Sequence, residues 1–156
     1  MKNKKRMSFF ILLFISMFLG SLGCTFPRII VLEDPLSPEE HINLGAAYEK
    51  NGELDLAVKE YTLASKKLSI AYLYLGNAYF QKNDFDKAEE YYKIAVEKES
   101  GNADAYNNLA WLYYTKRENL DEAESLALKA IDLNSSKKNI YKDTLEKIRV
   151  LKKSIK

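Results

Sequence analysis

Few side chains in this sequence could do covalent or metal chemistry. Cys24 and His41 are the single cysteine and the single histidine of the 156-residue chain. A serine or cysteine nucleophile needs a neighbouring base, and a zinc site needs several such ligands. The acidic pair Asp84 and Asp86 lacks the glycine-centred loop of a calcium site, and no glycine-rich phosphate loop is present. We therefore expect no enzyme, with no catalytic residues, no metal and no cofactor.

The chemistry that Cys24 could undergo is acylation. Four of residues 2–6 are basic, residues 9–19 are almost wholly apolar, and small residues surround the cysteine. This layout is typical of a secretory signal, and the apolar run from 8 to 23 is shorter than the roughly 18 residues that span a bilayer. The sequence Ser21-Leu22-Gly23-Cys24 resembles the lipobox of bacterial lipoproteins, although Ser21 and Leu22 stand in the reverse of the usual order.

The lipobox resemblance implies a location. Residues 1–23 would be a cleaved lipoprotein signal peptide, and a lipid on Cys24 would hold the protein to a membrane of the bacterial cell envelope. Thr25, in place of Asp, resembles the signal for outer-membrane sorting, facing the periplasm, if the host has two membranes. The alternative is an ordinary cleaved signal or an uncleaved anchor with an incidental cysteine.

Residues 24–37 are interpreted as a lipidated tether. They contain Pro27 and Pro35 and no helical apolar period, which favours an extended conformation. The run 29–32 is unusually apolar for a linker. It is either solvated or packs onto the first helices.

Charge divides the remaining chain into an acidic body and a basic tail. Residues 24–136 hold 12 basic and 20 acidic residues, a net charge of −8, whereas residues 137–156 hold eight Lys or Arg against two acids. A nucleic-acid binder normally concentrates cations on its binding face, so we expect no nucleic-acid partner. The basic tail is either a solvated face or a contact for acidic headgroups or an acidic partner.

Three similar segments follow one another, starting at Leu44, Leu75 and Leu109. They read LGAAYEKNGELDLAVKEYTLA, LGNAYFQKNDFDKAEEYYKIA and LAWLYYTKRENLDEAESLALKA, with offsets of 109 − 75 = 34 and 75 − 44 = 31 residues. A fixed period of this length indicates stacked structural repeats. Apolar residues also recur at helical spacing.

These segments resemble the tetratricopeptide repeat family. The resemblance implies an all-α fold, a right-handed α-solenoid of three helical hairpins at residues 38–68, 69–102 and 103–136. Residues 137–156, with Ile140, Leu145, Ile148 and Leu151 apolar, would form a basic helix that caps the stack. The segment Ser37-Pro38-Glu39-Glu40 is typical of a helix start with a capping box.

The resemblance also implies which residues pack. The expected core residues are Leu44, Gly45, Tyr48, Ala57, Tyr61, Ala64, Leu75, Gly76, Tyr79, Ala88, Tyr92, Ala95, Leu109, Ala110, Tyr113, Ala123, Ala127 and Ala130. Small residues such as Gly45, Gly76 and Ala110 would let two helix backbones approach closely. Ala127 stands where an aromatic is usual, which predicts looser packing of the third hairpin. His41 falls in a packing position of the first helix.

The family binds extended peptides or helices on the concave surface lined by the first helix of each hairpin. The positions implied to face that groove are Ile42, Ala46, Glu49, Leu73, Asn77, Phe80, Asn107, Trp111 and Tyr114. The cationic clamp that grips acidic C-terminal tails is absent, because the corresponding residues are Ile42, Ala46, Tyr74, Asp104 and Asn108. We expect a protein partner that offers an apolar or neutral peptide or helix.

The sequence thus predicts a membrane-anchored adaptor for protein–protein interaction in the cell envelope, for example in assembly of a pilus, secretion or outer-membrane complex. The alternative is a lipoprotein that binds a small ligand or the cell wall in the same groove. Oligomeric state is left open.

Overall fold

The computed structural model describes residues 34–155, and they form seven helices without a strand. The helices are α1 Pro38–Lys50, α2 Leu54–Ser65, α3 Ala71–Gln81, α4 Phe85–Lys98, α5 Ala103–Lys116, α6 Leu120–Leu133 and α7 Lys138–Ser154. Consecutive helices pair as antiparallel hairpins, and α7 packs on α6 and α5. The prediction of an all-α stack of helical hairpins is confirmed. Within residues 34–155, no helix is both long and apolar enough to cross a membrane.

Local side chains fix the helix starts. At α1 the Ser37 hydroxyl accepts from the Glu40 backbone N–H at 3.2 Å, and the Glu40 carboxylate accepts from the Ser37 backbone N–H at 2.7 Å. This is the predicted capping box, with Pro38 in the first turn. Asp84 and Asn102 cap α4 and α5 in the same way through their side chains.

The turn inside each hairpin contains a left-handed residue at the equivalent place. These residues are Gly52, Asn83 and Arg117, with φ of 80°, 59° and 58°. The third turn adds a second left-handed residue, Asn119, with φ of 49°. Three residues separate the two helices of every hairpin, so the extra residue of the third hairpin extends α5 and not its turn.

The family's packing positions form the core. The second-helix residues Ala57, Tyr61 and Ala64 and their counterparts in the other hairpins are at most 3% exposed. Leu75, Leu109 and Tyr113 from the first helices are equally buried. Tyr48 and Tyr79 lie partly buried against these clusters.

The two helical glycines of the described region each face a tyrosine ring. A Cβ added to Gly45 would lie 2.5 Å from the Tyr61 ring, and one added to Gly76 would lie 2.4 Å from the Tyr92 ring. Each glycine thus makes room for the tyrosine ring of the partner helix. Such a close approach is possible only without a side chain.

In the third hairpin Ala110 and Ala127 stand at the positions of the glycine and the tyrosine, and both are 0% exposed. The Cβ of Ala110 returns part of the volume that the missing ring at position 127 leaves. The looser packing expected for this hairpin stays a prediction.

The last helix, α7, packs with a different stripe from the one expected. Tyr141, Thr144, Leu145 and Ile148 are buried, whereas Ile140 is 60% exposed. The inward face is therefore rotated by one residue at its start. Burial of the Tyr141 ring is possible because its hydroxyl donates to Asp104 at 2.8 Å.

Three basic residues of the tail pair with the acidic body. Lys137 pairs with Asp104 at 2.6 Å, and both Arg149 and Lys152 pair with Glu124 at 2.6 Å. These pairs join α7 to α5 and α6. The charges of the tail thus hold the capping helix, beyond the two roles considered from sequence.

Candidate functional site

Two adjoining clefts cross the face formed by α1, α3 and α5. The first cleft, of about 420 Å³, is lined by Ala46, Glu49, Lys50, Tyr61, Tyr74, Asn77 and Gln81. The central cleft, of about 250 Å³, is lined by Glu49, Asn77, Phe80, Gln81, Tyr92, Asn108 and Trp111. They share Glu49, Asn77 and Gln81, so together they form one continuous recess.

The structure brings five of the predicted groove residues to this recess: Ala46, Glu49, Asn77, Phe80 and Trp111. Tyr114 instead lines a neighbouring cap cleft, of about 360 Å³, together with Asp143, Glu146, Lys147, Val150, Leu151 and Ser154. The groove face therefore extends onto α7, which the sequence analysis did not foresee.

Three predicted groove residues lie elsewhere. Leu73 is 7% exposed and packs in the core with Ala105 and Leu109, so its assignment to an accessible groove is corrected. Ile42 is half-buried against the first core cluster. Asn107 is half-buried, and its side-chain oxygen is buried without a hydrogen-bond partner among the described residues.

A carboxylate held by neutral donors lies at the centre of the recess. The Tyr61 hydroxyl donates to Glu49 Oε2 at 2.6 Å, and the Gln81 side-chain amide donates to Glu49 Oε1. Tyr61 belongs to α2, but its ring passes over Gly45 and its hydroxyl reaches the groove face. The same glycine that admits the ring thereby shapes the floor of the cleft.

The second hairpin repeats this arrangement with amides. The Tyr92 hydroxyl donates to Asn77 Oδ1 at 2.9 Å, and Asn108 Nδ2 donates to the same oxygen at 2.9 Å. Since the Asn77 side-chain oxygen accepts both of these hydrogen bonds, the Asn77 side-chain nitrogen can donate to a ligand. Amides in such a position suit a peptide backbone, which offers both donors and acceptors.

Both tyrosine hydroxyls keep their protons. Burial, and next the hydrogen bond to Glu49, raise the pKa of Tyr61 far above its ordinary value. Burial and the Glu49 charge also raise the pKa of Tyr92. At neutral pH, where even an unperturbed tyrosine is protonated, both hydroxyls therefore act as donors.

The floor is aromatic toward the third hairpin. Trp111 and Tyr114 lie with ring centroids 5.0 Å apart, and Phe80 contacts Phe85 at 5.4 Å. Lys147 of α7 lies 5.1 Å from the centre of the Trp111 ring. Half-exposed rings of this kind offer a broad contact area for an apolar side chain.

His41 lies away from these clefts and is 4% exposed. Its Nδ1 lies 2.7 Å from Glu60 Oε2 and its Nε2 lies 3.2 Å from Asp34 Oδ2. The sequence suggested packing but not this pairing, because Glu60 is a buried acid at a position that reads as solvated. Within residues 34–155, no cluster of His, Cys, Asp and Glu is arranged to hold a metal ion.

The positions of the family's cationic clamp carry no cation in this chain. Of these residues, Asp104 is engaged by Lys137 and Tyr141, and Asn108 donates to Asn77. Cys24, the predicted signal peptide and the predicted tether up to residue 33 lie outside the described residues.

Comparison with known proteins identifies the fold. A tetratricopeptide repeat family profile matches residues 73–137. Over these residues the chain is therefore similar to the tetratricopeptide repeat family. No curated protein sequence matches it.

Solved structures with this fold cover most of the helical region. The first repeat domain of Spaghetti (RPAP3), bound to an HSP90 peptide, is 22% identical with a TM-score of 0.64, over 73% of this chain and 94% of that one. The TPR2B domain of yeast Sti1, in complex with pHsp70, is 21% identical with a TM-score of 0.67, over 72% and 95%. PcrH from Pseudomonas aeruginosa is 18% identical with a TM-score of 0.68, over 77% and 99%.

Tetratricopeptide repeats generally mediate protein–protein interaction and peptide binding, and proteins built from them are generally non-enzymatic scaffolds.

Proposed function

We propose that this chain is a lipid-anchored adaptor of the bacterial cell envelope that binds a segment of a partner protein in the recess across α1, α3 and α5. The central cleft carries the proposal. It combines amide groups that can pair with a peptide backbone and two aromatic walls, Phe80 and Trp111, that can receive a side chain.

The partner differs from the acidic tails bound by the clamp-type members of the family. The solved relatives Spaghetti and Sti1 were captured with an HSP90 peptide and with pHsp70. In this chain Glu49 lies in the recess, and an acidic tail would meet its negative charge. Like charges in one site disfavour binding.

The anchor part of the proposal rests on the sequence around Cys24. The apolar run and the residues before the cysteine resemble a lipoprotein signal. A lipid there would place the helical domain beside a membrane, facing the periplasm if the host has two membranes. Labelling the full chain in a bacterium with a tagged fatty acid tests this, with Cys24→Ser as the variant that should lose the label. Equal labelling of both would contradict lipidation.

The groove is tested with a photoreactive residue at Trp111 in the full-length chain. We expect one dominant protein adduct in isolated envelopes, identified by mass spectrometry and lost in Phe80→Ala. The matched control carries the photoreactive residue at Leu128, which is 41% exposed on α6 and lines none of the clefts. The same adducts from both positions, or none from Trp111, would contradict binding in the recess.

A further inference from the structure

The central cleft contains one uncompensated charge. Of the seven residues that line it, Glu49 is the single charged one. Both of its oxygens accept hydrogen bonds from neutral donors, the Tyr61 hydroxyl and the Gln81 amide. Within residues 34–155, no Lys, Arg or His forms an ion pair with Glu49.

The nearest candidate counter-charge does not neutralise this carboxylate. Lys50 follows Glu49 on α1, but it lines only the first of the two clefts. Its ammonium group is not within ion-pair distance of Glu49. Other acids on the neighbouring helices are treated differently. Glu89 pairs with Lys93 at 2.8 Å and Lys116 at 2.9 Å, and Asp104 pairs with Lys137 at 2.6 Å.

A half-buried carboxylate raises the free energy of the folded chain unless a cation pairs with it. The neutral donors also fix its orientation before any ligand arrives, which lowers the entropy cost of binding. Next to it, Phe80 and Trp111 form apolar walls of the same cleft. Such walls accept the methylene groups of a long cationic side chain, or an apolar residue beside it.

Resting on the proposed function, we infer that the partner segment carries a Lys or Arg side chain that pairs with Glu49, together with an adjacent apolar residue that packs between Phe80 and Trp111. This proposal differs from the apolar or neutral partner expected from the sequence. Recognition would then have the opposite polarity from a cationic clamp on an acidic tail. The negative charge of Glu49 selects a positively charged side chain in the partner segment, while the aromatic walls of the cleft select an apolar residue next to it.

The test is selection from a phage-displayed library of random 12-residue peptides on the immobilised full-length chain. Four proteins are compared: the natural chain, Glu49→Gln, Glu97→Gln and Trp111→Ala. Glu97 is an exposed glutamate of α4 outside the clefts, so its substitution makes the same chemical change elsewhere. Peptides that depend on Trp111 are the ones that bind in the recess.

We expect Lys or Arg beside an apolar residue in the pools from the natural chain and Glu97→Gln, and no such enrichment from Glu49→Gln. For one selected peptide, replacing its cation by Gln should weaken binding to the natural chain by about tenfold, as expected for a charge-assisted hydrogen bond. That peptide measurement uses the unaltered protein, so it does not depend on folding of the variant. The same replacement should change binding to Glu49→Gln little.

Two results would overturn the inference. Trp111-dependent peptides without enrichment of Lys or Arg, or with equal enrichment in the pool from Glu49→Gln, would contradict the cationic residue in the partner segment. They would leave the proposed function intact. Absence of any Trp111-dependent peptide would contradict the proposed function itself.

Discussion

The first two hairpins and the third fill the same interior space with different side chains. In the first two, a glycine of the first helix receives a tyrosine ring of the second, Tyr61 over Gly45 and Tyr92 over Gly76. In the third, alanines occupy both positions, and they are as fully buried as the tyrosines. Volume removed from one helix is thus returned partly by the other, which shows that the two positions are coupled.

The difference also sets the chemistry of the groove. Tyr61 and Tyr92 deliver hydroxyls that hold Glu49 and Asn77 on its floor. An alanine at position 127 delivers none, and the groove there is aromatic, with Trp111 and Tyr114. Whether a tyrosine or an alanine packs inside a hairpin therefore determines whether the groove surface above it is polar or apolar.

The third hairpin gains its own support from the last helix. Glu124 of α6 pairs with Arg149 and Lys152, and Asp104 of α5 accepts from Tyr141 and Lys137. Ion pairs also join the second hairpin to the third, as between Lys116 and Glu89, but the third hairpin has no glycine–tyrosine pair of its own and is joined to the capping helix. Substitutions can test whether this structural contrast also appears as a difference in the free energy of unfolding.

The largest effect is expected for Tyr92→Ala. Removing a buried aromatic ring costs about 3–5 kcal/mol of the free energy of unfolding, because the cavity above Gly76 cannot collapse fully. Urea unfolding followed by circular dichroism measures the loss. The control is Tyr91→Ala on the same helix, whose ring is partly exposed and which should lose less. A smaller loss for Tyr92→Ala than for the control would refute the importance of the glycine–tyrosine pair.

The next effect is expected for Gly76→Ala. The new Cβ would stand 2.4 Å from the Tyr92 ring, and overpacking of this kind costs about 1–3 kcal/mol. The same substitution in Tyr92→Ala should stabilise by up to about 1 kcal/mol, because alanine is the better helix former and the ring is gone. The double variant would then carry the alanine pair of the third hairpin.

The sign change between the two backgrounds is the decisive measurement for Gly76. A double-mutant cycle in urea gives both values, since residues in contact show non-additive free energies. If Gly76→Ala had the same effect with and without the ring, the two positions would be independent. The comparison between the hairpins would then be coincidental.

A smaller effect is expected for Tyr92→Phe, which keeps the ring and removes the hydroxyl. Asn77 Oδ1 would retain its bond from Asn108, so the loss should be about 1 kcal/mol, the net value of one hydrogen bond. Chemical denaturation measures it, with Tyr91→Phe as the control, because no hydrogen bond of the Tyr91 hydroxyl occurs within the described residues. Equal losses for both would mean that the hydroxyl contact contributes nothing specific.

Sequence reasoning identified the hairpins because their core residues are local and periodic. It placed Leu73 in the groove by register alone, and could not anticipate that α5, with Ala105 and Leu109, covers it. It also missed the contact between Glu49 and Gln81, whose positions differ by 32 residues and whose meeting depends on side-chain conformation. Long-range contacts of this kind leave no period in the sequence.

The stripe of α7 shows a second limit. No further hairpin follows it, so the family's repeating pattern does not specify which residues turn inward. Ile140 is the more apolar neighbour of Tyr141, yet Tyr141 is buried because Asp104 accepts its hydroxyl. The hydrogen-bond acceptor on α5 thus determines which face of α7 turns inward.

The smallest effect is expected at the charged contact between α6 and α7, in Glu124→Gln. Hydrogen bonds from Lys152 and Arg149 hold the pKa of Glu124 below its ordinary value of 4.5. A carboxyl with a lowered pKa in the folded state contributes stability that is present above the unfolded value and is lost as pH falls through the folded value. The contribution should be at most about 1 kcal/mol, because the pair is near the surface.

The two proteins should therefore differ in free energy of unfolding at pH 7 and converge as pH drops below about 4.5, the range set by the unfolded carboxyl. Urea unfolding at several pH values measures this, and the control is Glu122→Gln, an exposed glutamate of the same helix that forms no ion pair within residues 34–155. High salt at pH 7 should shrink the difference for Glu124→Gln, whereas the loss in Tyr92→Ala should persist, since salt screens surface charges and not buried rings. A salt-independent, pH-independent difference for Glu124→Gln would show that charge does not support the third hairpin.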